Sequence, residues 1–155
     1  MYEAFSGGGA RLNGQPLVRN RRAGSPPLIP APGAVHQEMQ ALVLHYTRGP
    51  MYPSLAYRMV QVATGHLDAA VARRGSQDWD IAAAAVILIE CGLDFADVCT
   101  GFPQFNKRDV RHGALAVLSD MSLKPLVHSA LITVYGCPAE PVDEAEHISS
   151  TAMDS

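Results

Sequence analysis

The stretch GSQDWDIAAAAVILIECG, residues 75–92, decides the fold of this chain. A polar Asp-Trp-Asp triplet opens it, and the apolar run Ile81–Ile89 follows. Such a run between a polar start and a glycine predicts a buried helix that ends at Gly92. A carboxylate against a buried helix is costly unless it has a partner, so the role of Asp80 is the functional question.

Two interpretations fit Asp80, which lies in the first turn of the predicted helix. The helix dipole favours an anion there, and a carboxylate held at a helix start suits Mg²⁺, which usually takes only one or two protein carboxylates. Trp79 is then expected to pack against the core and direct the carboxylate. In the other interpretation, Asp78 and Asp80 are ordinary acids of a helix start, with Asp78 as the N-cap. Composition alone favours the second interpretation.

Composition limits the class of protein. The 155 residues suffice for one domain with a sizeable core. The chain is 48% hydrophobic and 17% charged, which excludes a wholly disordered protein. A net charge of −3 gives no reason to expect a nucleic-acid polymer as a partner. The longest apolar run is too short to cross a bilayer, so no membrane partner is expected either.

The three cysteines are Cys91, Cys99 and Cys137, and their spacing is not that of metal ligands. Cysteines without such spacing in apolar surroundings are typical of reduced thiols. We therefore expect all three to be reduced and the protein to be cytoplasmic.

Changes in composition divide the chain into four parts. Residues 1–19 predict a hairpin with glycine turns, which needs a further sheet to join and is interpreted as the remainder of a preceding half. Residues 20–34 are a linker rich in Pro and Gly. Residues 35–136 form the main domain. Residues 137–155 are an acidic tail, predicted to be disordered.

Hydrophobic periodicity predicts the elements of the main domain. Helices are expected near residues 35–47, 53–64, 79–91 and 123–135, and strands within 67–74, 94–98 and 112–119. Because the third helix has no solvated face in its sequence, we expect it to be the most buried. The order of elements predicts an α/β fold, a layered mixed sheet with helices.

Several motifs carry a resemblance to a known family. VATGHLDAAVARRGSQDWDIAAAAVILIECG resembles the C-terminal signature of the inositol monophosphatase family of Mg²⁺-dependent, lithium-sensitive phosphatases, W-D-x-A-A/G followed by apolar positions and glycine. SGGGARLNGQPL resembles the family's hairpin, and TGFPQFN and RHGALAV resemble its final strands. The resemblance implies the C-terminal half of an αβαβα sandwich. The matching signature positions are Val62, Ala63, Gly65, Asp68, Trp79, Asp80, Ala82, Ala83, Glu90 and Gly92.

The resemblance also implies roles for three residues. Asp80 corresponds to the family's Mg²⁺ ligand, which also contacts a substrate hydroxyl. Ser54 is the one polar match to a substrate-contacting G-[ST]-A stretch. Arg73 stands where the family has an acid that binds inositol hydroxyls. It either suits a second phosphate, as in the 3′(2′),5′-bisphosphate nucleotidase branch, or is a solvated strand residue.

The family's other metal ligands are absent from this sequence. They come from a D-P-[IL]-D-G-T motif and an upstream glutamate pair, and neither occurs here. One carboxylate cannot build the metal clamp that activates water. We therefore expect a truncated, catalytically incomplete member of a family of phosphomonoesterases that hydrolyse inositol phosphates or 3′(2′),5′-bisphosphate nucleotides.

The expected partners are a small phosphorylated substrate and a second polypeptide. The second polypeptide is either another copy of the chain or a complementing N-terminal half. In the alternative hypothesis, the chain is a non-catalytic interaction module that pairs with another chain through an apolar face.

Overall fold

The computed structural model describes residues 1–20, 25–42 and 45–139. These residues form the layered α/β architecture that the sequence predicts, and none of their helices is long and apolar enough to cross a membrane. The strands are β1 Tyr2–Ala4, β2 Ala10–Leu12, β3 Gln15–Pro16, β4 Leu28–Ile29, β5 Thr47–Arg48, β6 Ala69–Ala72, β7 Asp94–Asp97 and β8 Leu115–Leu118. The helices are α1 Gly33–Ala41, α2 Leu55–Thr64, α3 Asp78–Glu90 and α4 Lys124–Tyr135, the last preceded by a 3₁₀ turn, Met121–Leu123.

The central sheet has the order β6-β8-β7, and β8 pairs antiparallel with both neighbours. All its residues are buried except the half-buried Asp94 at the start of β7. Alternating residues face opposite sides: Ala70 and Val117 pack with α2 and α3, whereas Val71 and Ala116 pack with α1 and α4. A sheet buried on both faces requires a helical layer on each.

The helix boundaries follow the capping signals in the sequence. Ser54 caps α2, since its Oγ accepts a hydrogen bond from the Tyr57 N–H at 3.2 Å. Gly65 ends α2 in the left-handed conformation, with φ of +87°. The four predicted helices are all present. The predicted end of α1 at residue 47 is wrong, because α1 ends at Ala41 and Thr47 lies in β5; residues 43–44 lie outside the described ranges.

The prediction that α3 is the most buried helix is wrong. Five of its 13 residues are buried, against six of ten in α2. Trp79 is 69% exposed and does not pack against the core, and Ile89 is 47% exposed. Ala82 and Ala83 are exposed on the same side of the helix. A run that is apolar all round gives no period, so the sequence could not indicate which side of α3 faces the sheet.

The N-terminal hairpin is present, as predicted, as the three-stranded sheet β1-β2-β3. It packs on α2 and α3 through the half-buried Tyr2 and Ala4. The backbone N–H groups of Gly7 and Gly9 donate to the two carboxylate oxygens of Glu90 at 2.8 and 2.9 Å. Glu90 at the end of α3 therefore holds the glycine turn of the hairpin.

The segment predicted as a linker contains ordered structure. Within residues 20–34, β4 pairs in parallel with β5, and α1 begins at Gly33. The Leu28 N–H donates to Asp68 Oδ2 at 2.7 Å, which ties β4 to the start of β6. Most of the predicted acidic tail, residues 140–155, lies outside the described residues.

The expectation of three reduced thiols is wrong for two of them. Cys99, after β7, forms a disulfide with Cys137, after α4, across 38 residues of sequence. Cys91 is a free, half-buried thiol, and its burial raises its pKa. The pairing depends on the end of α4 lying beside the loop after β7, which is a tertiary contact that cysteine spacing does not reveal.

We predict that Gly65→Ala destabilises the protein more than Gly92→Ala. Both glycines have positive φ, +87° and +68°, so each alanine carries the left-handed strain of about 1–2 kcal/mol. A Cβ at residue 65 would also lie 2.2 Å from the Asn20 carbonyl oxygen, whereas none of the described atoms lies within 4 Å of one at residue 92. Urea unfolding should show at least about 1 kcal/mol more loss for Gly65→Ala. Equal losses would contradict the tight approach of Asn20.

We also predict one disulfide and one free thiol in the protein purified without reductant. Alkylation followed by mass spectrometry should modify only Cys91 before reduction and all three cysteines after it. Closing a loop of this length stabilises a fold by about 2–4 kcal/mol, so Cys99→Ser/Cys137→Ser should lower the free energy of unfolding by that amount. Cys91→Ser, outside the disulfide, is the control. Three alkylated thiols without reduction would show that the bond does not form.

Candidate functional site

The candidate site is the start of α3 and the loop that leads into it from β6, residues 73–77. Gln77, not Asp78 as predicted, is the N-cap of α3. The Gln77 N–H donates to Asp80 Oδ2 at 3.0 Å, so Asp80 stabilises the beginning of its own helix. Asp80 is exposed, and its Oδ1 accepts no hydrogen bond from any described residue. One carboxylate oxygen is therefore anchored and the other is available.

Asp78 joins α3 to the loop between β7 and β8, residues 98–114. Its Oδ1 bonds His112 Nε2 at 2.7 Å, and its Oδ2 accepts the Asn106 N–H at 2.9 Å. The Asn106 hydrogen bond, the largest cause, together with His112 and nearby Lys107, holds the pKa of Asp78 below its usual value. Asp78 is therefore a structural link between two loops rather than a helix cap.

Backbone hydrogen bonds join the same two loops side by side. The Gly75 N–H donates to the His112 carbonyl at 2.9 Å, and the His112 N–H donates to the Ser76 carbonyl at 2.8 Å. The Asp78 N–H donates to the Val110 carbonyl at 3.0 Å. His112 is buried, and its ring packs on Phe105. The loop that presents Asp80 therefore depends on residues more than 30 positions later in the chain.

Asp97, at the end of β7, shapes the other end of the β7–β8 loop. Its Oδ1 accepts the N–H groups of Cys99 and Thr100 at 2.9 and 3.3 Å, and its Oδ2 accepts the Gly113 N–H at 2.8 Å. A Cβ on Gly113 would lie within 2.8 Å of both carboxylate oxygens. Sequence reasoning missed both Asp78 and Asp97 as loop-forming acids. For Asp97 the available signal was its position at the end of the apolar strand LDFADV, where an acid favours capping of the following turn.

The predicted substrate residues lie on different elements. Ser54 is exposed at the start of α2, where its hydroxyl caps the helix. Arg73 is exposed just after β6, and its charge partly opposes the rise that burial causes in the pKa of Tyr135. Tyr135 belongs to α4, so Arg73 lies towards the α4 layer, on the opposite side of the sheet from α3. Among the described residues, no hydrogen bond or ion pair joins Ser54, Arg73 and Asp80 to one another.

The residues present do not by themselves fit a complete Mg²⁺ site. Nowhere in residues 1–20, 25–42 and 45–139 do three or more His, Cys, Asp or Glu side chains come close enough to hold a metal ion. Asp80 offers one free carboxylate oxygen, which is the donor type that Mg²⁺ prefers. Any complete site needs ligands from elsewhere.

Comparison with known proteins identifies the fold family. The model of the inositol monophosphatase family matches residues 1–134. The chain belongs to the inositol monophosphatase family. No curated protein matches it significantly.

Solved inositol monophosphatases have the same fold. Inositol monophosphatase II of Staphylococcus aureus is 22% identical, with a TM-score of 0.67 over 86% of this chain and 53% of that one. The structure of SaIMPase-II with bound 2′AMP is 24% identical, with a TM-score of 0.67 over 86% of this chain and 55% of that one. An inositol monophosphatase–fructose 1,6-bisphosphatase is 23% identical, with a TM-score of 0.66 over 84% and 52%. The chain thus spans about half the length of these enzymes.

Several family-signature residues have structural roles in this inositol monophosphatase relative. Glu90 holds the hairpin, Asp68 holds β4, and Gly65 makes room for the Asn20 carbonyl. Asp80 differs from Asp68 and Glu90 because it is exposed, whereas they are half-buried, and its one side-chain hydrogen bond lies within its own helix start. Among these signature acids, Asp80 is therefore the one whose free carboxylate oxygen is placed to bind a ligand from solution.

We predict that His112→Ala loosens both loops of the site. The His112 side chain is 2% exposed, and its loss leaves the Asp78 carboxylate without one partner and Phe105 without its ring contact. The expected loss is about 1–3 kcal/mol in the free energy of unfolding, with faster amide exchange at Gly75 and Asn106. His45→Ala, at an exposed position, should change stability by less than about 0.5 kcal/mol. Equal effects would show that the His112–Asp78 bond does not support the site.

Proposed function

We propose that the chain supplies the C-terminal part of the active site of a Mg²⁺-dependent phosphomonoesterase. Membership of a phosphatase family supports the reaction class. The observation that carries the proposal is the state of Asp80, which is exposed at a helix start, anchored through one oxygen and open at the other. In this proposal Asp80 is one Mg²⁺ ligand and also contacts a substrate hydroxyl.

Hydrolysis is proposed to need carboxylates from a second polypeptide. Two observations support this: the described residues contain no acidic cluster able to hold a metal, and the chain spans about half the length of the enzymes it matches. The exposed apolar residues of α3, Trp79, Ala82, Ala83 and Ile89, offer a surface beside Asp80 for that polypeptide. We propose a complementing N-terminal half carrying D-P-[IL]-D-G-T as the partner, in preference to a second copy of this chain, which lacks the motif.

The proposed substrate is a small phosphomonoester, either an inositol phosphate or a 3′(2′),5′-bisphosphate nucleotide. SaIMPase-II has been solved with 2′AMP and with inositol monophosphate, so a nucleoside monophosphate and an inositol phosphate are both bound by a protein of similar fold. Arg73 replaces an acid that would bind inositol hydroxyls, which favours the nucleotide. Its position towards Tyr135 favours the alternative interpretation of Arg73 as a solvated strand residue.

A cytoplasmic location stays a prediction from the sequence. The Cys99–Cys137 bond runs against it, because cytosolic reductants keep most thiols reduced. The alkylation and mass spectrometry experiment described above measures directly whether Cys99 and Cys137 are oxidised.

We predict that the purified chain alone releases no phosphate, and that a fusion to the N-terminal half of S. aureus inositol monophosphatase II does. Phosphate release from inositol phosphate and adenosine 3′,5′-bisphosphate should require Mg²⁺ and be inhibited by lithium. In the fusion, Asp80→Asn should lower kcat at least about a hundredfold, because it removes charge from a metal ligand.

The matched control is Glu38→Gln on α1, across the sheet from α3, which should leave kcat within about twofold. Circular dichroism at the assay temperature shows that each variant is folded. Mg²⁺-dependent turnover by the isolated chain would contradict the need for a partner. An active Asp80→Asn fusion would show that Asp80 is not a ligand.

A further inference from the structure

A cavity of about 320 Å³ lies between the β6–α3 loop and the β7–β8 loop, and we call it the loop cavity. Its volume is at the lower end of small-molecule pockets. Pro138, next to the disulfide-bonded Cys137, closes one side together with Cys99. The charged and titratable residues in its wall are Arg74, Asp97, Lys107, Asp109, Arg111 and His112.

Both acids of the loop cavity already have hydrogen-bond partners. Asp97 accepts three backbone N–H groups, as described above. Asp109 forms a two-point pair with Arg111, whose Nε and Nη2 lie 3.0 and 2.9 Å from its two carboxylate oxygens. Hydrogen bonding to Arg111 lowers the pKa of Asp109 to about 2, so this carboxylate stays ionised and paired. Both carboxylates are therefore engaged, Asp109 by a cation and Asp97 by backbone N–H groups that leave its charge in place.

Arg74 and Lys107 are the two cations of the wall that, unlike Arg111, have no ion-pair partner among the described residues. Neither forms a hydrogen bond or ion pair with any of the described residues. They come from different loops, Arg74 from the β6–α3 loop and Lys107 from the β7–β8 loop, and both line the same cavity. Three cations, Arg74, Lys107 and Arg111, against the two acids leave one net positive charge in the wall, and Lys107 also lies near Asp78.

His112 gives the cavity a fixed polar wall rather than a mobile surface. Its side chain is 2% exposed, and Asp78 holds the ring through Nε2 at 2.7 Å. The other ring nitrogen, Nδ1, bonds no described residue. Backbone hydrogen bonds from the Gly75 N–H to the His112 carbonyl and from the His112 N–H to the Ser76 carbonyl join the two walls. A cavity with fixed walls binds a ligand at a lower entropic cost than a mobile surface.

We propose that the loop cavity binds a phosphate-like oxyanion through Arg74 and Lys107, with Arg111 held beside them by Asp109. A guanidinium and an ammonium on two walls suit a tetrahedral anion with several oxygens better than a single carboxylate. Asp80 is not among the residues of this cavity, so the binding needs neither the metal site nor a second polypeptide. The anion is either free phosphate or a phosphate group of a larger metabolite.

The test is a titration of inorganic phosphate into the full chain in EDTA, followed by ¹H–¹⁵N NMR. Saturable shifts are expected at Gly75, Cys99 and Gly113, which line the cavity. Arg74→Gln/Lys107→Gln should weaken binding at least about tenfold, since it removes two charge-assisted contacts. Arg11→Gln/Arg108→Gln makes the same change of net charge at exposed positions outside the cavity and should weaken it by less than about twofold.

A parallel titration with adenosine 3′,5′-bisphosphate distinguishes the sources of the anion. Tighter binding than phosphate identifies a phosphorylated metabolite as the ligand, and equal affinity identifies free phosphate. No saturable shift, or equal weakening in both double variants, would overturn the proposal. If Arg74→Gln/Lys107→Gln does not fold, Lys107→Gln against its neighbour Arg108→Gln gives the same comparison. An inactive fusion enzyme would leave this result unaffected, because the titration contains no metal.

Discussion

The antiparallel pairing of β8 with both β6 and β7 is the constraint on which the rest of the structure depends. It forces β6 and β7 to run in the same direction, so that both end at the edge where β8 begins. The last residues of β6 and β7, Ala72 and Asp97, both pair with Leu115, the first residue of β8. The loop after β6, the loop after β7 and the approach to β8 therefore meet at one place. The candidate site and the loop cavity both lie at this edge because of topology, before any side chain contributes.

Side-chain carboxylates hold these loops by accepting backbone N–H groups. Asp97 accepts three, Asp78 accepts one together with the His112 ring, and Glu90 accepts two from the hairpin. Such charge-assisted bonds are stronger than neutral ones, and they satisfy loop groups that no sheet can pair. An acid in a signature motif is therefore no evidence of a metal site by itself. What it can bind depends on a free oxygen that a ligand can reach, and Asp80 combines a free oxygen with an exposed position.

The sequence predicted helices correctly where apolar residues repeat at helical spacing and a glycine marks the end. Helical spacing located α2 and α4, and Gly65 ends α2 where the pattern stops. The cap at Ser54 was not predicted, since that residue was assigned to substrate contact. Prediction from the sequence failed for features that depend on tertiary contacts. The run Ile81–Ile89 has no polar side, so the exposure of Ile89 could not be read from it. The Asp78–His112 bond and the Cys99–Cys137 disulfide join positions 34 and 38 residues apart, which local pattern does not relate.

The two proposed sites differ in what they need from outside the chain. The loop cavity is lined by residues that this chain holds in place through its own sheet, its Asp78–His112 bond and its disulfide. Asp80 is also held in place, but it faces outward beside the exposed Trp79, with a single carboxylate where metal-assisted hydrolysis requires several ligands. The proposed binding of a phosphate group therefore draws only on residues of this chain, whereas the proposed hydrolysis also needs a second polypeptide beside the exposed face of α3.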